Sequence, residues 1–164
     1  MKKLLIIFAI LFPVALFAQN DAIDKLFEKY ANKEGFTTVS ISGKMLNIVS
    51  GEESDDKTSK DILSKLSGIR VLSVDNKEIT GNPDFYNELK KAGFFKNTDY
   101  EVLMEVTDEN EVVRFLGKDD GNGKFSELIL VVGGDDNALI SIRGTIDPDS
   151  LGQVTKSLNL NISK

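Results

Sequence analysis

The densest group of oxygen donors in the chain is Gly117-Lys118-Asp119-Asp120-Gly121-Asn122-Gly123, and carboxylates, amides and backbone carbonyls are the ligands a hard cation such as calcium takes. The order is wrong for a calcium hand. Such a loop needs oxygen donors at alternate positions, glycine sixth and glutamate twelfth, whereas counting from Asp120 puts Lys124 fifth and Phe125 sixth. Turn chemistry explains the same residues, because Asp, Asn and Gly are what a tight solvated turn selects. Asp135 and Asp136, in Gly133-Gly134-Asp135-Asp136-Asn137, read the same way.

A second chemistry needs two carboxylates, one as acid and the other as base or nucleophile. Glu101, Glu105, Glu111 and Glu127 alternate with apolar residues, so the expectation is that they line the wet face of a sheet. Ser54-Asp55-Asp56-Lys57 matches a serine-lysine string, but two adjacent aspartates keep that lysine charged and unable to act as a base. Glycines 121, 123, 133 and 134 do not form a phosphate-cradling pattern, and no Lys-Ser or Lys-Thr follows them. Asn161-Ile162-Ser163 is a glycosylation triplet beneath a bacterial-style leader, and reads as incidental. There is no His and no Cys, which removes the usual general base, the commonest metal ligand and any disulfide. No catalytic, cofactor-binding or metal-binding residue is assigned from the sequence.

The elements that would carry such groups begin after a leader. Lys2 and Lys3 precede an uncharged run from Leu4 to Phe17 that ends at Ala18, the outline of a cleavable export signal. The run falls short of the roughly 20 residues a membrane-crossing helix needs. Cleavage after Ala18 would leave residues 19–164 as one domain with no integral membrane segment. The chain's net charge of −6 becomes more negative once the two leader lysines are gone, which disfavours nucleic acid and anionic membranes as partners.

Ile23, Leu26, Phe27 and Tyr30 follow helical spacing, and Gly35 ends that helix. A strand is predicted over Phe36–Ile41, then a short helix over Lys44–Val49 capped by Ser42. Ser50 to Lys60 has no apolar residue and is expected to be a mobile acidic loop. A brief helix over Asp61–Ser67 ends at Gly68, before a strand over Ile69–Val74. Asn82-Pro83 supplies a cap and a first-turn proline for a helix over Asp84–Ala92, with Phe85 and Leu89 stacked and Gly93 as terminator.

From Tyr100 the period becomes two. Tyr100, Val102, Met104 and Val106 are expected on one buried face, and strands over Glu111–Leu116, Phe125–Val132 and Ala138–Ile146 follow, joined by turns that include Asn122-Gly123. Asp147-Pro148 opens a last helix, with Leu151, Val154 and Leu158 as its apolar face. The fold expected is α+β: a mostly antiparallel sheet ending in a four-strand meander, packed on one face by three to four helices.

Taken together, the leader, AIDKLFEKYANKEGFTTVSISGKML, SGIRVLSV, DFYNELKKAGF, YEVLMEV and EVVRFLGKDDGNGKFSELILVVGGDDNALISIRGTID resemble the domain-of-unknown-function 4252 family of small exported Gram-negative proteins. The resemblance implies export and an α+β fold, and carries no activity and no functional residues. The function expected is a non-catalytic periplasmic or envelope protein that binds an envelope protein partner, its oligomeric state left open. The alternative is a small carboxylate-dependent hydrolase acting on envelope or glycan substrates.

Overall fold

The computed structural model describes residues 22–52, 57–76, 78, 81, 83–96 and 99–149. The leader, the Asn82 cap and the last helix lie outside them, as do Ser54, Asp55 and Asp56. In chain order the elements are α1 (Ala22–Tyr30), β1 (Phe36–Ser42), α2 (Gly43–Glu52), α3 (Lys57–Ser64), β2 (Leu66–Val74), α4 (Phe85–Lys91), β3 (Tyr100–Thr107), β4 (Glu111–Asp119), β5 (Phe125–Gly134) and β6 (Ala138–Ile146). The six strands form one sheet in the order β1-β2-β6-β5-β4-β3, every neighbouring pair antiparallel. Strands β3 to β6 are the expected meander, and β6 then closes against β2.

Each side of the sheet has its own core. On one side Ile23, Leu26, Phe27 and Tyr30 of α1 and Phe85 and Leu89 of α4 bury against Leu72, Leu116, Ile129, Val131 and Leu139. Each such side chain withdrawn from water contributes about 1.5–3 kcal/mol. On the other side Leu46 and Leu63, from α2 and α3, meet Ile41, Ile69, Phe115, Leu128 and Ile142. Cross-strand register separates the two sets, since Ile41, Ile69, Ile142 and Leu128 form one row and Ser40, Arg70, Ser141 and Ile129 the adjacent row. The helices therefore divide between both faces. The reason is written in β5, whose apolar run fills both alternating sets, as a central strand covered on two sides must.

Buried polar groups fix the turn between β5 and β6. Asn137 Oδ1 accepts from the Phe85 amide at 3.1 Å, and its Nδ2 donates to the Gly134 carbonyl at 2.9 Å, so this turn holds the start of α4. Only glycine fits beside it: a Cβ on Gly134, at φ +108°, would sit 1.9 Å from the Asn110 carbonyl oxygen.

Several expectations are corrected. Of the span 50–60 expected as a loop, residues up to Glu52 belong to α2 and those from Lys57 to α3; Ile62 and Leu63 draw the polar residues before them into their helix. Leu66, expected in that helix, instead begins β2 and is buried. The cap of α4 is Asp84, whose side chain accepts from the Asn87 amide at 2.8 Å, and Pro83 precedes it. In β3 a register shift between Val102 and Met104 breaks the alternation: Val102 pairs with Leu116 and Met104 with Phe115, which face opposite sides. Tyr100 is buried, while Val102 and Val106 stand out in solvent. As predicted, Ser42 caps α2, accepting from the Met45 amide at 3.3 Å.

Candidate functional site

Polar side chains interrupt the apolar layer beneath α1. Ser40, Arg70 and Ser141 occupy one row across β1, β2 and β6, and Arg143 and Glu127 face each other two rows along, on the same face of the sheet. Asp24, half-buried on α1, reaches them. Its Oδ1 accepts from Arg70 Nη2 at 2.5 Å and from Arg143 Nη2 at 2.8 Å. Arg143 Nε donates to Glu127 Oε1 at 2.9 Å, and Ser141 Oγ donates to the same oxygen at 2.5 Å. Tyr100 OH donates to Glu127 Oε2 at 2.5 Å. Two guanidiniums and two carboxylates thus join α1 to β2, β5 and β6 in one network.

Glu127 was expected on the wet face and is instead buried. The register places it opposite Arg143 on β6 and Lys118 on β4, and its three donors offset the cost of removing a carboxylate from water. Glu101 and Glu105 are exposed, Glu105 pairing with Arg114, and Glu111 is half-buried. Partial burial by itself would raise the Asp24 carboxyl, but hydrogen bonds from Arg70 and Arg143, reinforced by their charge, hold it below the usual carboxylate range. Burial weakens Arg143 as a cation, and the hydrogen bond and charge of Glu127, aided by Asp24, outweigh it, so its guanidinium is held all the more firmly charged. A general acid needs the opposite perturbation, a carboxyl pushed upward to hold its proton near neutral pH.

Beside this network lies a cavity of about 210 Å³ lined by Ser40, Ile41, Ser42, Ser67, Gly68, Arg70, Ser141 and Arg143. Among the described residues its lining includes four serines and two arginines, and no Asp or Glu. The Arg70 guanidinium lies over the Phe27 ring, 4.2 Å from its centroid, and Arg70 Nε is buried with no hydrogen-bond partner among the described residues.

The features singled out in the sequence do not converge on this place. At the β4–β5 turn Asp119 Oδ1 accepts from the Gly121 amide at 2.5 Å, and Asp120 Oδ1 from the Asn122 and Lys124 amides at 2.8 and 3.2 Å; the carboxylates are spent on their own loop. Gly121 and Gly123 take φ of 82° and 76° there, the left-handed conformations that turn chemistry predicts. Among the described residues no group of three or more His, Cys, Asp or Glu is arranged to hold a metal ion. Sequence reading missed Asp24, Arg70, Ser141 and Arg143. The available signal was polar residues set inside otherwise apolar central strands, Ser141-x-Arg143 in ALISIRGTI and Arg70 in SGIRVLSV.

The segment order that builds this sheet can be set against known families, and the profile of one described as a domain of unknown function (DUF4252) matches residues 30–154. The chain belongs to the DUF4252 family. The match takes in every strand of the sheet, with Arg70, Glu127, Ser141 and Arg143, and begins after Asp24. No curated protein and no solved structure matches this DUF4252 chain. Among its described residues no helix is long and apolar enough to cross a membrane.

Proposed function

We propose that this DUF4252 protein is a non-catalytic, exported interaction module of the cell envelope that accepts an extended segment of a protein partner along the outer edge of β1, which no second strand pairs among the described residues. The observation that carries the reading is the character of that edge. β1 pairs with β2 in unbroken register from Phe36↔Val74 to Ser42↔Gly68, with no bulge, proline or charged side chain in FTTVSIS. Thr37 to Ser40 are exposed, Val39 at 42 %. Sheet edges ordinarily carry one of those devices against unwanted pairing, and an edge without them is a template for strand addition. The opposite edge has them, since β3 carries a register shift together with Glu101 and Glu105. Export rests on Lys2, Lys3 and the apolar run that ends at Ala18.

The test places a photo-crosslinking amino acid at Thr38 in the full chain in intact cells, with a control at Lys124 on the β4–β5 turn. One reproducible envelope neighbour crosslinked from Thr38 and not from Lys124 is the expected result. Equal labelling from both positions, or none from either, refutes the reading.

A further inference from the structure

We infer that the cavity between β1, β2 and β6 is a binding pocket for a small monoanionic carboxylate. Its wall is lopsided in charge: among the described residues both ionised groups that line it, Arg70 and Arg143, are cations, and the rest comes from serines, Gly68 and Ile41, whose side chain packs on the other face of the sheet. Asp24 and Glu127, which balance these cations, stand outside the lining. They take Nη2 of Arg70 and Nη2 and Nε of Arg143, and a guanidinium has five N–H donors, so both arginines keep donors to give. The two carboxylates and the Phe27 ring hold the guanidiniums in place before any ligand arrives, which is the preorganisation that lowers the cost of binding.

Arg70 Nε supplies an independent observation. It is buried and has no hydrogen-bond partner among the described residues, whereas buried donors in folded proteins are nearly always satisfied, and a bound ion is one of the things that accounts for an exception. An arginine serving only to clamp α1 has no need of that donor. A planar carboxylate matches the forked guanidinium, and the hydroxyls of Ser40, Ser42 and Ser67 can donate to its oxygens, the Ser141 hydroxyl being given to Glu127. About 210 Å³ exceeds the roughly 30 Å³ that one water occupies, leaving room for the carbon that carries the carboxylate. The acidic balance of the chain penalises a dianion more than a monoanion. This inference does not depend on strand addition at β1, and the two fail separately.

The test is NMR of the ¹⁵N-labelled protein titrated with sodium acetate, with sodium chloride of equal ionic strength and inorganic phosphate as parallel arms. Expected are saturable shifts of the Arg70 Nε–H and the Ser67 and Gly68 amides with acetate and none with chloride. Loss of a charged donor in Arg70→Gln weakens binding at least about tenfold. Should Arg70→Gln fail to fold, Ser40→Asp, at an exposed position, decides the matter: its tethered carboxylate fills the pocket and abolishes the acetate response. Absence of saturation with acetate, saturation with phosphate alone, or an undiminished acetate response in Ser40→Asp overturns the inference.

Discussion

Asp24 is the side chain on which the polar network turns, because it joins a helix to both arginine-bearing strands. Its carboxyl is held below the ordinary range by its two guanidinium donors, even though partial burial pulls the other way. A carboxyl whose pKa is lowered on folding contributes stability above its unfolded value, about 3.9, and the contribution fades as pH falls through the folded value. Asp24→Asn is therefore expected to cost about 1–3 kcal/mol at neutral pH, with the difference from wild type shrinking as pH falls below the unfolded value and through the lowered folded one. Urea unfolding of both proteins at neutral and acid pH measures it; a gap that stays constant with pH would show that Asp24 acts by packing and not by charge. At this scale the sequence said little. Asp24 looks like any acidic residue in the first turn of a helix, and nothing adjacent to it names Arg70 or Arg143.

Among the elements, α4 shows how local chemistry and tertiary contact divide the work. Its first turn is set by Asp84 accepting from the Asn87 amide, and its place is set by Asn137 holding the Phe85 amide. Tyr30 OH donates to Glu88 Oε1, and Lys29 Nζ lies 2.6 Å from Glu88 Oε2, tying α1 to α4. The hydrogen bond that Lys29 donates to Glu88 raises the Lys29 amine, so that small contribution is complete at neutral pH and disappears only as pH climbs past the folded value. Asp84→Ala is expected to cost about 1 kcal/mol, read as a lower urea midpoint with an unchanged slope. The apolar stripe of α1 and the pair Phe85 and Leu89 were legible because each repeats within a few residues. β3 was misjudged for the converse reason: YEVLMEV alternates well, but the shift between Val102 and Met104 arises against β4, and such an irregularity leaves no mark in the strand's own residues.

For the molecule as a whole, the sheet order concentrates stability at its centre. β5 and β6 are paired on both sides and carry the fully buried Ile129, Val131 and Leu139, whereas β1 and β3 are edges. Native-state hydrogen exchange is accordingly expected to be slowest in the amides of β5 and β6 and to be faster in β1 and α2, whose Val39, Met45, Ile48 and Val49 are exposed. Uniform protection across all six strands would mean instead that the sheet opens only by global unfolding. The order of strands was not legible beforehand beyond the meander, since the pairing of β2 with β6 closes a loop across most of the domain.

By itself the sequence determined the α+β class, the meander, the turn chemistry around Gly121 and Gly123, and the lack of any histidine-dependent or cysteine-dependent site, because each of these depends on residue identity or on neighbours a few positions apart. Tertiary structure alone decided that the helices split between two faces, that Glu127 is buried, and that the two arginines line one cavity. Those facts follow from strand register, and register is a long-range property: Asp24 and Arg143 meet across a separation of 119 residues, and moving a strand by one residue would turn each of its side chains to the other face.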